Sequence, residues 1–266
     1  MNPETDNKEL KEGWNMKEQS EKWDQALRSV VGHFSQGSED EPAENLPHIL
    51  EKSTWEKADQ EKPRQFLLMT GPSGVGKGTI GRGLESQGVV RVPRIITRSR
   101  RPGEPENEYH FVSQAEYDEL LQQGKLLCPT DRSTSATSCG GIEKDVILSA
   151  IKEKKPFYID GGAGTARQIK KEPELQDVDF SVVFILPPTF KEMVRRLTNR
   201  TGQEKELLSK AGDEGRTMDP EVLAKRLEIA ITHLRESSET TDFFVVNDEA
   251  DRAAQRILSL FNVKGK

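Results

Sequence analysis

Between Phe66 and Ile80 the chain passes from an apolar run through a glycine-rich turn into a helix-compatible segment. The run is Phe66-Leu67-Leu68-Met69-Thr70, and the turn is Gly71-Pro72-Ser73-Gly74-Val75-Gly76-Lys77-Gly78-Thr79. Glycines in a strand-to-helix turn let successive backbone N–H groups point inward at anionic oxygens. The helix N-terminus adds partial positive charge, and a lysine at the end of the turn reaches β- and γ-phosphates. The segment predicts a nucleotide phosphate cradle over Gly71 to Thr79, against the plainer alternative of a glycine-rich turn with a surface lysine. Gly78 stands where a Ser or Thr hydroxyl ordinarily meets Mg²⁺, so Thr79 or a water is expected to serve the metal.

From Gln65 onward, short apolar runs alternate with helix-like segments. The strand candidates are Phe66–Thr70, Val89–Val92, Phe157–Asp160, Phe180–Leu186 and Phe243–Val246. The clearest helix is Glu221–Glu236, with Leu223, Leu227, Ala230, Ile231 and Leu234 on one face, and Arg252–Phe261 closes the pattern. Strand–helix alternation with near-continuous apolar strands predicts an α/β fold in three layers, a parallel sheet covered on both faces. Ligands then sit beyond the carboxyl ends of the strands, where Gly71, Asp160 and Asn247 fall.

The net charge of −6 is uneven: residues 1–60 carry −7 and the remainder +1. That balance leaves no basic stripe for nucleic acid. No apolar run is long enough to span a bilayer, and the acidic N-terminus resembles neither a secretory nor a transit signal. Two cysteines, Cys128 and Cys139, make no disulfide framework and fit a reducing cytoplasm. Residues 1–60 read as an acidic extension, partly helical or disordered. Helices are expected within Lys8–Phe34 and Asn45–Asp59, joined by a linker at Ser35–Pro42. Two roles fit this extension: a poorly ordered tail, or an arm that docks a protein partner through its tryptophans.

After the second strand come Thr97-Arg98-Ser99-Arg100-Arg101-Pro102-Gly103-Glu104 and Glu108-Tyr109-His110-Phe111-Val112-Ser113. Alone, such arginines make a solvated basic turn. Near a phosphate loop they can clamp a phosphate monoester through bidentate, charge-assisted bonds. Further on stand Phe184-Ile185-Leu186-Pro187-Pro188, Arg195-Arg196-Leu197 and Val245-Val246-Asn247-Asp248. With these motifs in this order, residues 65 to 262 resemble the guanylate kinase family. The resemblance implies a P-loop kinase fold with a small acceptor-binding domain over about residues 97–145 and a helical lid over about 195–226. It further implies ATP and Mg²⁺ as cofactors and nucleotides as small-molecule partners. By the same resemblance Arg98, Arg101 and Tyr109 hold the acceptor phosphate, with Asp160 at the acceptor site, while Lys77, Arg200 and Arg226 act on the ATP phosphates.

Three departures from the family pattern stand out. Cys128 occupies the place of a guanine-reading Glu, Cys139-Gly140-Gly141 replaces a Tyr-Gly-Thr/Ser segment, and Gly162 replaces the second carboxylate of an Asp-x-Asp pattern. Arg200 and Arg226 are also 26 positions apart, a long interval for this lid, with Arg216 inside it. Asp131 is the most obvious candidate to stand in for the missing carboxylate. Guanine selectivity is expected to weaken unless the run from Asp131 to Ser138 supplies substitutes, and without such substitutes Cys128→Glu is expected to raise GMP turnover. Three functions fit: a kinase converting GMP to GDP, a kinase for another phosphorylated small molecule, or a non-catalytic module that binds peptides in the acceptor cleft.

Overall fold

The computed structural model describes residues 15–36, 40–57, 64–100, 109–130, 138–175, 178, 180–199 and 220–261. Its frame is a five-stranded parallel sheet built from β1 (Phe66–Thr70), β2 (Val90–Arg91), β7 (Phe157–Asp160), β8 (Phe180–Leu186) and β9 (Phe243–Val246), in the order β2-β7-β1-β8-β9. Four strands match the apolar runs residue for residue, whereas the run at Val89–Val92 pairs only over Val90–Arg91.

Alternation along each strand supplies both faces. Phe66, Leu68, Phe157, Ile159, Val182, Phe184, Phe244 and Val246 point one way, and Leu67, Met69, Tyr158, Val183, Ile185, Phe243 and Val245 the other. The second face is covered by α3 (Lys77–Ser86) and α9 (Ala250–Leu258). The first is covered by α5 (Lys144–Lys152), α6 (Ala163–Ile169), the helix at 190–199 (α7) and α8 (Pro220–Thr240). The three layers expected from the sequence are present.

A second sheet, ordered β4-β3-β6-β5, contains β3 (Arg94–Ile96), β4 (Tyr109–Phe111), β5 (Leu126–Thr130) and β6 (Gly140–Glu143). Helix α4 (Gln114–Gln122) joins β4 to β5 and starts with a capping box between Ser113 and Glu116. Much of the segment expected to form the lid, 200–219, lies outside the described residues.

The N-terminal segment corrects one expectation. Helix α1 (Met16–Phe34) begins at the Asn15 cap, and α2 (Leu46–Lys57) follows. Both belong to the main core: Trp23, Leu27, Val30, Leu46 and Leu50 pack with Phe184, Leu186, Leu227 and Phe244. Trp23 and Trp55 are each 2% exposed, so these tryptophans face inward and offer no docking surface. Trp14 lies outside the described residues.

Helix α2 also closes an exposed flank. β9 is an edge strand whose outward N–H and C=O groups would otherwise need water or a second chain. Thr54 Oγ1 accepts from the Phe244 N–H at 3.1 Å, Trp55 Nε1 donates to the Phe244 carbonyl at 2.9 Å, and Glu51 Oε1 accepts from the Val246 N–H at 3.4 Å.

Candidate active site

The turn after β1 forms the cradle expected from its glycines. Gly71 has φ +136° and Gly76, the N-cap of α3, has φ +97°, both in the region L side chains avoid. A Cβ on Gly71 would lie 2.5 Å from the Ile185 carbonyl oxygen, and one on Gly76 would lie 2.2 Å from Asn247 Nδ2. Strand β8 and the end of β9 therefore press on the loop from outside. Lys77 Nζ donates to the carbonyls of Gly71 at 2.8 Å and Pro72 at 3.1 Å, holding its charge within the loop's curve. Thr79, exposed on the first turn of α3, accepts from Arg82 at 3.2 Å. Among the described residues no group of three or more His, Cys, Asp or Glu could hold a metal. The Thr79 hydroxyl, exposed at the start of α3, is placed where it would stand beside a Mg²⁺ brought in by the phosphates.

Two side chains brace the loop without touching its interior. Asn247 Nδ2 donates to the Val75 carbonyl at 2.6 Å. Arg196, on α7, donates to the same carbonyl at 3.3 Å and to the Asn247 carbonyl at 3.0 Å, while its Nε meets Glu192 at 2.7 Å. Both residues stand in motifs visible in the sequence, yet neither was predicted as a site residue. Their signal was position, at a strand end and on the helix after β8.

Bonds from Arg195, with Arg196 beside it, hold the Glu192 carboxyl at about 2, far below its ordinary 4.5. The folded form thus prefers the anion. Its stabilising contribution is complete above about pH 4.5 and is lost as pH falls through about 2. Glu192→Gln is expected to lower the melting temperature at pH 7, and the gap from wild type should narrow toward pH 2 in a thermal series.

Arg98 lies over the rings of Tyr109 at 5.2 Å and Phe111 at 5.4 Å, a cation–π pairing created by the parallel register of β3 and β4. The structure thus brings two of the predicted acceptor-phosphate residues together. Arg101 and Arg200 lie outside the described residues, as do Asp131 and Arg216. Asp160 ends β7 beside Met69, at the carboxyl edge that also launches the cradle. Arg226 sits half-buried on α8. His233, on the same helix and seven residues on, shares its face by spacing and was missed in the sequence. Burial, and then the charge of Lys77, push its basicity below the ordinary imidazole value, which places this part of α8 near the cradle. Its Nδ1 has no hydrogen-bond partner among the described residues.

The comparisons with known proteins converge. The guanylate kinase family model matches residues 63–263. A guanylate kinase of Trichormus variabilis is 33% identical over 201 residues, covering 73% of this chain and 87% of that protein. One from Thermobifida fusca is 30% identical over 206 residues, covering 76% and 93%. The chain belongs to the guanylate kinase family. A solved structure of guanylate kinase from Anaplasma phagocytophilum aligns with TM-score 0.52 at 18% identity, over 77% of this chain and 87% of that one, and supports the fold.

Against this family background, the two cysteines are both free and buried. Cys128 is 5% exposed and packs among Leu127, Ile142, Ile147, Phe157 and Ile159. Its backbone is left-handed at φ 48°, its thiol faces the Thr165 carbonyl at 3.7 Å, and burial pushes the thiol up to about 11. Cys139, 4% exposed, packs with Ile95, Tyr117 and Leu126. Among the described residues position 128 thus sits in a packed apolar cluster, a costly place for a carboxylate. Gly162 serves as the N-cap of α6.

Proposed function

We propose that this guanylate kinase family member transfers the γ-phosphoryl group of ATP to GMP, forming GDP and ADP, in the cytoplasm. The observation that carries this reading is the cradle: left-handed glycines pressed by Ile185 and Asn247, with Lys77 already inside the curve. A module that only bound peptides in the acceptor cleft would have no use for it. In the proposed reaction an acceptor phosphate oxygen, already anionic, attacks the γ-phosphorus in line, and the bond to the β,γ-bridging oxygen breaks. No general base is required. Catalysis rests on placement and positive charge, from Lys77 on the transferring group and from Arg200 and Arg226 closing over it. Bound Mg²⁺ would supply further neutralisation of the phosphate oxygens.

Arg98, Arg101 and Tyr109 are assigned to the acceptor phosphate, with Asp160 at the same edge. Arg98→Ala is expected to raise the KM for GMP about tenfold to a hundredfold, the cost of one charge-assisted contact, with ATP affinity nearly unchanged. Loss of ATP binding instead would reverse the assignment of donor and acceptor sites. The acceptor is tested by kcat/KM for GMP, AMP, CMP and UMP at saturating ATP. GMP is expected to lead, with narrower discrimination than a carboxylate-bearing pocket provides. A different monophosphate in the lead would overturn GMP while leaving phosphoryl transfer in place.

A further inference from the structure

The segment before residue 63 lies outside the family match, yet it touches the residue next to the cradle's outer brace. Glu51 on α2 is 7% exposed. Its Oε1 takes the Val246 N–H at 3.4 Å, and its Oε2 lies 3.7 Å from Arg252. Arg252, on α9, donates to the Val246 carbonyl at 2.9 Å and to Asp248 at 2.8 Å. Of the two residues that flank Asn247, Val246 is thus held from α2 and α9 at once, and Asp248 from α9. Asn247 between them spans the gap to the Val75 carbonyl and fills the space against Gly76.

We infer that α2 is a built-in brace of the phosphate cradle, and that Glu51 is a positioning residue acting through Asn247. The inference rests on the nucleotide-binding reading of that cradle. An edge strand end held only by β8 has freedom to shift outward, and Asn247 would carry Val75 and Gly76 with it. Glu51 removes that freedom by satisfying the outward N–H of Val246 and pairing with the arginine that grips its carbonyl. Thr54 contacts the same strand two residues earlier, at Phe244, without reaching the cradle. It supplies a matched structural control.

The test measures ATP dissociation constants by calorimetry, ATP and GMP KM values, and melting temperatures for Glu51→Ala, Glu51→Gln, Thr54→Val and Asn247→Ala in the full chain. Glu51→Ala is expected to weaken ATP about three- to thirtyfold, the range for a coupling contact outside the site, with the GMP KM within about twofold. Glu51→Gln keeps an acceptor for Val246 and should fall between. Thr54→Val should lower the melting temperature and leave ATP affinity in place. In the Asn247→Ala background, Glu51→Ala should add little further loss of ATP affinity, because its route to the loop is gone. If the wild type binds ATP but Glu51→Ala lowers only the melting temperature, or if the Glu51 and Asn247 effects add in full, the brace is overturned and the cradle reading stands. A wild-type chain that binds no ATP overturns both.

Discussion

Lys77→Ala is expected to reduce kcat for phosphoryl transfer by about a hundredfold to a thousandfold or more, the loss typical of removing one preorganised charge from a transition state. The fold should survive. Lys77 is half-buried, and among the described residues its ammonium bonds the Gly71 and Pro72 carbonyls, at 2.8 and 3.1 Å, within a turn whose shape the glycines and Asn247 maintain. Its melting temperature should therefore stay close to that of wild type. ATP affinity should fall much less than kcat, since the charge acts most strongly on the migrating group. Comparable turnover in the variant would remove Lys77 from the chemistry.

Cys128→Glu carries the largest expected stability effect. The position is 5% exposed among apolar side chains, and even with Arg94 nearby the thiol there is pushed up to about 11, so the site opposes an anion on balance. A buried carboxylate without a full set of partners costs several kcal/mol, and the longer side chain adds overpacking of about 1–3 kcal/mol. Urea denaturation at pH 7.5 should show a loss of at least about 3 kcal/mol. The introduced acid's folded pKa should lie above its unfolded value. Its penalty is then relieved on protonation, and the deficit should shrink from pH 8 toward pH 5. GMP turnover should not rise. A variant of unchanged stability with higher kcat/KM for GMP would restore the sequence-based view of this position.

The contrast between Lys77 and Cys128 shows where the sequence was legible. The cradle is local: strand, glycines, lysine and helix follow one another, and each residue's role is set within about ten positions. Four strands of the parallel sheet were equally readable, because burial on both faces leaves runs such as Phe180–Leu186 almost wholly apolar, whereas the short, partly exposed strands of the second sheet carry no such run. The burial of Cys128 was not legible, because its surroundings are assembled from β6, α5, β7 and α6, and motif position alone does not tell a pocket wall from a core. The inward turn of Trp23 and Trp55 was hidden for a related reason. Their partners, Phe190 and Phe243, lie more than 160 residues away, so nothing near them in the chain shows what covers them. Glu51 read as one more charge in an acidic extension, although in the fold it faces an edge strand.

Transfer of a phosphoryl group between nucleotides at this cradle is tested by following the label itself. Wild-type protein and Lys77→Ala would be incubated with γ-³²P-ATP, Mg²⁺ and GMP, and the nucleotides separated. The label is expected to appear in GDP with wild type, to require Mg²⁺, and to be nearly absent with the variant. Label remaining in ATP despite saturating binding of both nucleotides, or reaching GDP equally well without Lys77, would contradict it.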